Sequence, residues 1–289
     1  MTLSRGDVAR LLRANELSPR RALGQNFVAD PNTVRRVVHL AGVRPGDRVL
    51  EVGGGLGSLT LALAEAGAAV TVVERDRWLV PVLRQVLRDK APAAPVEVVE
   101  GDAMDIDWHS LLGAASTWAM VSNLPYNVAT PLVADLLDGV PEVATMTFMV
   151  QKEVADRLVA APGDPAYGAV SVKVAYWAEA AALGVVPASV FVPRPRVASA
   201  LVRIDRRPSP AVEPAVVAAA DLFRVVRTGF SQRRKMLRGS LGSLGARPEV
   251  FDAAGVAPTA RPEELSVAQW GSLAAAIVAA SGTGPAVKR

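Results

Sequence analysis

Cysteine is absent from the 289-residue chain. That absence excludes disulfides, thiolate metal sites and cysteine nucleophiles, and it fits a reducing compartment. Histidine is nearly as scarce, and His39 and His109 are too few and too scattered for a His-rich metal centre. Aromatic residues reach only 5%, and just five of the 32 basic residues are lysine, which reflects a GC-rich coding sequence more than a chemical demand. Long hydrophobic runs are missing too, since the apolar stretches break well short of a membrane span. Met1–Asp7 has no apolar run behind a basic start, so no signal peptide is expected. A soluble intracellular protein, cytoplasmic and without membrane contact, is the expectation.

Apolar residues make up 51% of the chain, enough for a substantial core and against wholesale disorder. The length suits one large domain plus a smaller one. The net charge of +4 divides unevenly. Residues 1–205 carry 20 basic and 22 acidic groups, whereas residues 206–289 carry 12 basic and 6 acidic. A positive C-terminal part suits a polyanionic partner docking there.

Arg48–Val52 is a compact apolar run that reads as a buried strand, followed by the glycine turn 53–57 and a helix over Ser58–Ala66. The same alternation continues. Strands are predicted at Ala69–Val73, Val96–Val99, Trp118–Ser122 and Met146–Val150, with helices at Trp78–Lys90, Thr130–Leu137 and Glu153–Ala160. Strand–helix alternation predicts an open α/β, mostly parallel sheet with helices on both faces. Val170–Trp177 and Ala200–Ile204 read as later, antiparallel strands. Arg206-Arg207-Pro208-Ser209-Pro210 reads as a linker, giving domains 1–207 and 208–289. The second is predicted all-helical, with helices near 215–230, 232–243, 248–254 and 263–280, and a frayed tail at 282–289.

A strand, a glycine turn and a helix let a ligand approach bare backbone, because glycine lacks the Cβ that would clash. Glu74 ends the next strand, where a carboxylate accepts hydrogen bonds from both hydroxyls of an adenosine ribose. That arrangement suits NAD as well as S-adenosylmethionine, and the spacing does not choose. Asp102 follows the third strand, placed either to accept from an adenine amino group or to cap a helix.

Asn123-Leu124-Pro125-Tyr126 joins an amide, a rigid proline and an aromatic directly after a strand. An adenine N6 is a poor nucleophile because its lone pair is delocalised into the ring. The Asn123 side-chain oxygen and the Leu124 carbonyl suit the two N6 hydrogens and favour a more tetrahedral nitrogen, while Tyr126 suits stacking on the base. Neither a metal nor a strong base is required, because the methylated amine is acidic enough to lose its proton to nearby acceptors or water.

Seven segments then carry a specific resemblance. They are Leu23–Phe27, Glu51–Gly57, Gly101–Met104, Asn123–Asn127, Gln151–Val154, Phe191–Val197 and Phe230–Lys235. In order and spacing the chain resembles the bacterial 16S rRNA adenine dimethyltransferases, the kasugamycin-sensitivity enzymes, over nearly its whole length. The resemblance implies a Rossmann-like class I methyltransferase sheet with a small helical C-terminal domain. It implies dimethylation of two adjacent adenosines in the 3′-terminal hairpin of 16S rRNA, within a 30S assembly intermediate, by a monomer using S-adenosylmethionine and no metal. Asn26, Val28, Gly53, Gly55, Glu74, Asp102 and Asn123 would contact the cofactor. Asn123, Leu124, Pro125 and Tyr126 would serve the target base, and Phe191 would stack on its other face. Read from the residues alone, Phe191 is a core aromatic between two turns. Gly54 replaces a usual proline, an expected loosening of the turn, and Ala198 replaces a frequent acidic residue.

Arg224, Arg227, Arg233, Arg234, Lys235 and Arg238 lie within 15 residues without an acid among them. On one helix, Arg227, Arg234 and Arg238 would share a face and form a phosphate-contacting surface. The competing readings are a 23S rRNA adenine methyltransferase conferring antibiotic resistance, a self-resistance paralogue, and a mainly non-catalytic ribosome assembly factor. A dehydrogenase rests on the glycine turn and Glu74 alone.

Overall fold

The computed structural model describes residues 2–113 and 117–282, so the expected tail from 283 onward lies outside the described residues. Its strands are β1 Phe27–Val28, β2 Arg48–Val52, β3 Ala69–Glu74, β4 Val96–Glu100, β5 Trp118–Asn123, β6 Val143–Gln151, β7 Ala178–Val186, β8 Phe191–Val192 and β9 Ser199–Arg206. One seven-stranded sheet has the order β4-β3-β2-β5-β6-β9-β7, and β1 pairs with β8 separately. β4 through β6 run parallel, and β9 returns antiparallel to β6.

The continuous apolar run of β2 follows from burial of Val49, Leu50, Glu51 and Val52 alike, as befits a central parallel strand covered on both faces. The connecting helices carry apolar stripes. Leu79–Lys90 buries Leu79, Val80, Val82, Leu83, Val86 and Leu87, the spacing of one helical face. The chain lays down β2, β3 and β4 in one direction, then returns to place β5 and β6 on the far side of β2. Strand order therefore reverses between β2 and β5, where parallel sheets open a crevice at the strands' carboxyl ends. Gly53 follows one of those ends and Asn123 closes the other.

The described residues divide into two compact units, one from residues up to 155 together with 180–206, the other from 156–179 together with 207–282. A single boundary near 207 was expected, but the helical unit takes in residues 156–179 as well. The reason is packing: Tyr167, Val172 and Tyr176 are buried in one cluster with Phe223, Phe251 and Trp270. The same packing corrects the strand expected at 170–177, which is a helix, Ala169–Trp177. Val, Tyr and Trp favour strands. Here the Gly168 N–H donates to Ser171 Oγ at 3.0 Å and starts a helical turn, and Val172 and Tyr176, one turn apart, both face the core. The Ala-rich edge strand β7 gave no strand pattern and was not expected.

Arg206, expected to open a linker, instead ends β9 and grips the end of another element. Its guanidinium donates to the carbonyls of Leu136, Leu137, Val140 and Val143 at 2.8–3.1 Å. Three of these lie at the C-terminal end of the helix Ala129–Gly139; the Leu136 carbonyl also accepts the Val140 N–H, and the guanidinium serves the last turn and cap, where carbonyls run out of helical donors. Arg206→Met should cost about 2–4 kcal/mol of unfolding free energy, since charged donors to carbonyls are lost together. Urea unfolding of the whole chain measures this, and a loss below about 0.5 kcal/mol would remove Arg206 from that role.

Candidate active site

A cleft of about 690 Å³ opens at the switch point. Its walls come from Leu23–Phe27, the ends of β2 and β3, Gly101–Ala103 and the loop after β5. Of the residues expected at a cofactor, Asn26, Gly53, Gly55, Glu74, Asp102 and Asn123 all line this cleft. Val28 does not; with Asn123, Gly53 and Gly55 it lines a smaller neighbouring cavity of about 280 Å³.

The glycine turn is built for close approach. Gly55 has φ +56°, and a Cβ there would lie 3.0 Å from the Phe27 ring. The Gly55 N–H donates to Glu74 Oε2 at 2.8 Å, tying the turn to the end of β3. The other Glu74 oxygen accepts the Asp76 N–H at 2.8 Å. Each oxygen retains a second lone pair for a sugar hydroxyl. Burial raises the Glu74 carboxyl above its ordinary value, with the backbone N–H groups of Asp76, Gly55 and Arg75 opposing. A Cβ on Gly54 would sit 2.4 Å from Val72 Cγ1 and 2.9 Å from Leu83 Cδ2, so these side chains fill the space a proline ring would need.

Asp102 accepts the Met104 N–H at 3.1 Å and pairs with Arg75 at 3.1 Å. The helix-cap reading does not hold, because residues 103–105 form a turn and the next helix, Trp108–Leu112, is capped by Asp107; Asp102 lines the cleft. Sequence reasoning missed Arg75, although it directly follows Glu74.

Asn123 is held by one end of its amide. Its Nδ2 donates to the Asn26 carbonyl at 2.9 Å. Its Oδ1 is buried and has no hydrogen-bond partner among the described residues. A buried acceptor without a partner is costly unless a ligand supplies a donor. Leu124 is buried, its N–H donating to the Met149 carbonyl at 3.1 Å. Pro125 packs on the glycine turn, where a Cβ on Gly53 would reach its Cδ at 3.3 Å. Tyr126 is half-buried outside the cleft lining, its hydroxyl 2.8 Å from Ser199 Oγ, and burial raises its phenol above the usual value. Phe191 is not brought to the cleft. It is fully buried in the core beside β1, as the residue-only reading had it.

The basic cluster is not one helix. The helix Ala219–Ser231 ends before Arg233, and Arg238 belongs to the short helix Leu237–Ser240. The shared face of Arg227, Arg234 and Arg238 is thus lost. The break follows from burial of Leu237, whose N–H donates to the Ala260 carbonyl at 2.8 Å. Acids also approach through space. Arg224 pairs with Asp221 at 2.9 Å and Arg233 with Glu263 at 3.7 Å, while Arg227, Arg234, Lys235 and Arg238 are exposed.

The family model for ribosomal RNA adenine dimethylase matches residues 17–278. Ribosomal RNA small subunit methyltransferase A of Cutibacterium acnes is 46% identical over 273 residues, covering 92% of this chain and 91% of the relative. The protein of that name from Thermobifida fusca is 45% identical over 278 residues, covering 94% and 95%. Among solved structures, a dimethyladenosine transferase from Plasmodium falciparum superposes with a TM-score of 0.71 at 22% identity, covering 84% of this chain and 94% of that one. The 23S rRNA methyltransferase ErmE gives 0.67 at 28% identity, covering 88% and 100%.

Glu51 was expected only as the end of a strand. It is buried beside the smaller cavity, and burial pushes its carboxyl from 4.5 up to about 8. The folded state therefore holds this proton more tightly than the unfolded chain. Glu51 consequently withdraws stability as pH rises from about 4.5 to about 8. Glu51→Gln should unfold at nearly the same urea concentration as the parent at the low end of that window and at a higher one at the top. Parallel pH profiles for the two proteins would show that Glu51 carries no such penalty.

Proposed function

The chain belongs to the ribosomal RNA adenine dimethylase family, and we propose that it methylates the N6 amines of two adjacent adenosines in the 3′-terminal hairpin of 16S rRNA. The observation that carries this reading is the half-bound Asn123 amide, with its buried Oδ1 at a glycine-lined cleft. S-adenosylmethionine, the methyl donor of this family, supplies a methyl group on an electrophilic sulfonium. The residues present fit it. The backbone at Gly53 and Gly55 is bare, Glu74 and Asp102 offer carboxylates for the adenosine, and Asn26 lines the other wall.

Asn123 Oδ1 accepts one N6 hydrogen and the Leu124 carbonyl the other, which turns the amine lone pair toward the methyl group. Rigid Pro125 and the Leu124 anchor on β6 fix these two acceptors. Tyr126, tethered to Ser199, stacks on the extruded base. The proton lost afterwards passes to water or to these acceptors. Phe191 lies in the core, so the second stacking face is not assigned to it.

The helical unit docks RNA through Arg227, Arg234, Lys235 and Arg238, with Arg224 and Arg233 partly engaged by acids. The substrate is an assembly intermediate of the 30S subunit, met by a monomer in the cytoplasm. No helix among the described residues is long and apolar enough to cross a membrane. A 23S substrate is disfavoured because the small-subunit relatives are 45–46% identical and ErmE 28%. The presence of Asn123 through Tyr126 argues against a purely structural factor.

Incubation with labelled cofactor and unmethylated 30S or 50S precursors, followed by mapping, tests the assignment; label in large-subunit RNA alone overturns it. Asn123→Ala should lower methyl transfer about a hundredfold or more while RNA affinity holds, and retained turnover would clear Asn123 of its role. Reversing Arg234 and Lys235 to Glu should weaken RNA binding and reduce the slope of log affinity against log salt by about two. An unchanged slope removes this surface from docking.

A further inference from the structure

The segment Arg20–Phe27 forms a strap along one wall of the cleft, and its contacts extend well beyond that wall. At one end Gln25 is held twice. Its Nε2 donates to Asp76 Oδ2 at 2.8 Å, and its Oε1 accepts the Arg20 N–H at 2.8 Å. Asp76 is buried, accepts the Trp78 N–H at 3.0 Å through Oδ1, and has the Arg20 guanidinium 3.6 Å away. The strap is thus fastened to the loop after β3.

Its other side rests on the loop after β5. Gly24, at φ +64°, lies so close that a Cβ would meet the Tyr126 backbone nitrogen at 3.0 Å and Asn127 Oδ1 at 3.1 Å. Asn127 Nδ2 reaches the Ala22 carbonyl at 3.4 Å. Next to Gln25, the Asn26 carbonyl accepts from Asn123 Nδ2 at 2.9 Å. That bond decides which way the Asn123 amide faces. With Nδ2 committed to the strap, Oδ1 is left as the acceptor.

We propose that Gln25 and Asp76 are positioning residues for methyl transfer: their latch seats the strap so that the Asn26 carbonyl holds the Asn123 amide with Oδ1 presented to the target amine. The inference rests on the role given to Asn123 above. It extends the reacting geometry to two side chains outside the loop Asn123–Tyr126, one on the cleft wall and one in the loop after β3. A released strap frees the amide to rotate, and an amide presenting Nδ2 repels an amine that needs an acceptor. The cleft wall and the base-facing loop are then set by one fastening.

The test compares the full-length protein with Gln25→Met, which keeps side-chain volume and removes both hydrogen bonds. With unmethylated 30S particles, kcat should fall about tenfold while KM for the particle stays within about twofold. Amide hydrogen exchange should accelerate about tenfold both in residues 22–27 and in residues 123–128, although the hydrogen bonds of the Gln25 side chain go to Arg20 and Asp76. Asp76→Ala should do the same, and the double variant should lose no more than either single one. Faster exchange confined to 22–27, with kcat unchanged, overturns the proposal. So do additive losses in the double variant. Calorimetry with S-adenosylhomocysteine separates the two levels. A parent protein that fails to bind it refutes the cofactor reading, while the exchange data still judge the latch.

Discussion

The parallel pairing of β2 with β5 is the constraint on which the site depends. Val49 lies beside Ala119 and Leu50 beside Met120, and further along Ser122 Oγ accepts the Val52 N–H at 2.9 Å. These contacts bring two strand ends, separated by some seventy residues of chain, to the same edge. One end must turn without side chains because Phe27 and Pro125 crowd it. The other must present an amide. A slip of one residue in this pairing would turn Asn123 to the opposite face of the sheet, because side chains alternate along a strand. Chemistry and register are therefore fixed by the same backbone hydrogen bonds.

Much of this was legible in the sequence because the relevant residues sit at strand ends that local patterns reveal. The apolar runs of β2, β3 and β5 and the stripe on Leu79–Lys90 are strong signals, and glycine, Glu74, Asp102 and Asn123 follow them directly. What failed depended on distant contacts. The helix Ala169–Trp177 was hidden because its residues favour strands and only burial against the helical core decides otherwise. The basic run looked like one helix because nothing local announces that Leu237 must turn inward. Arg206 looked like a linker residue because its carbonyl acceptors lie far off in the chain.

The buried acids divide by how they are satisfied. Glu74 and Asp76 both accept backbone N–H groups, and Asp76 also receives the Gln25 amide. Hydrogen bonds of this kind offset part of the cost of taking a carboxylate out of water. Glu51 has an oxygen with no partner among the described residues, and its proton is correspondingly retained. Two neighbouring strands thus end in carboxyls of different character. Glu74 is held by backbone donors at the cleft, whereas burial pushes the Glu51 carboxyl up to about 8 beside the smaller cavity.

Asn123 and Glu51 share a physical logic that bears on why the site is built from polar groups lacking partners. A protein core satisfies nearly all its buried polar atoms, and an orphan at the wall of a cleft is one that a bound group can meet. Asn123 Oδ1 is such an atom, and its orientation is not left to chance, since Nδ2 is bound to the strap. In the proposed reaction, the free energy withheld in the unpaired acceptor would be released when an amine hydrogen arrives. It would be released most fully when the nitrogen has become pyramidal and its hydrogens point at the two acceptors. In the proposed reaction, an acceptor held rigidly before the base arrives would favour the reacting geometry over the flat ground state, and an uncharged amide would thereby accelerate attack by a reluctant amine.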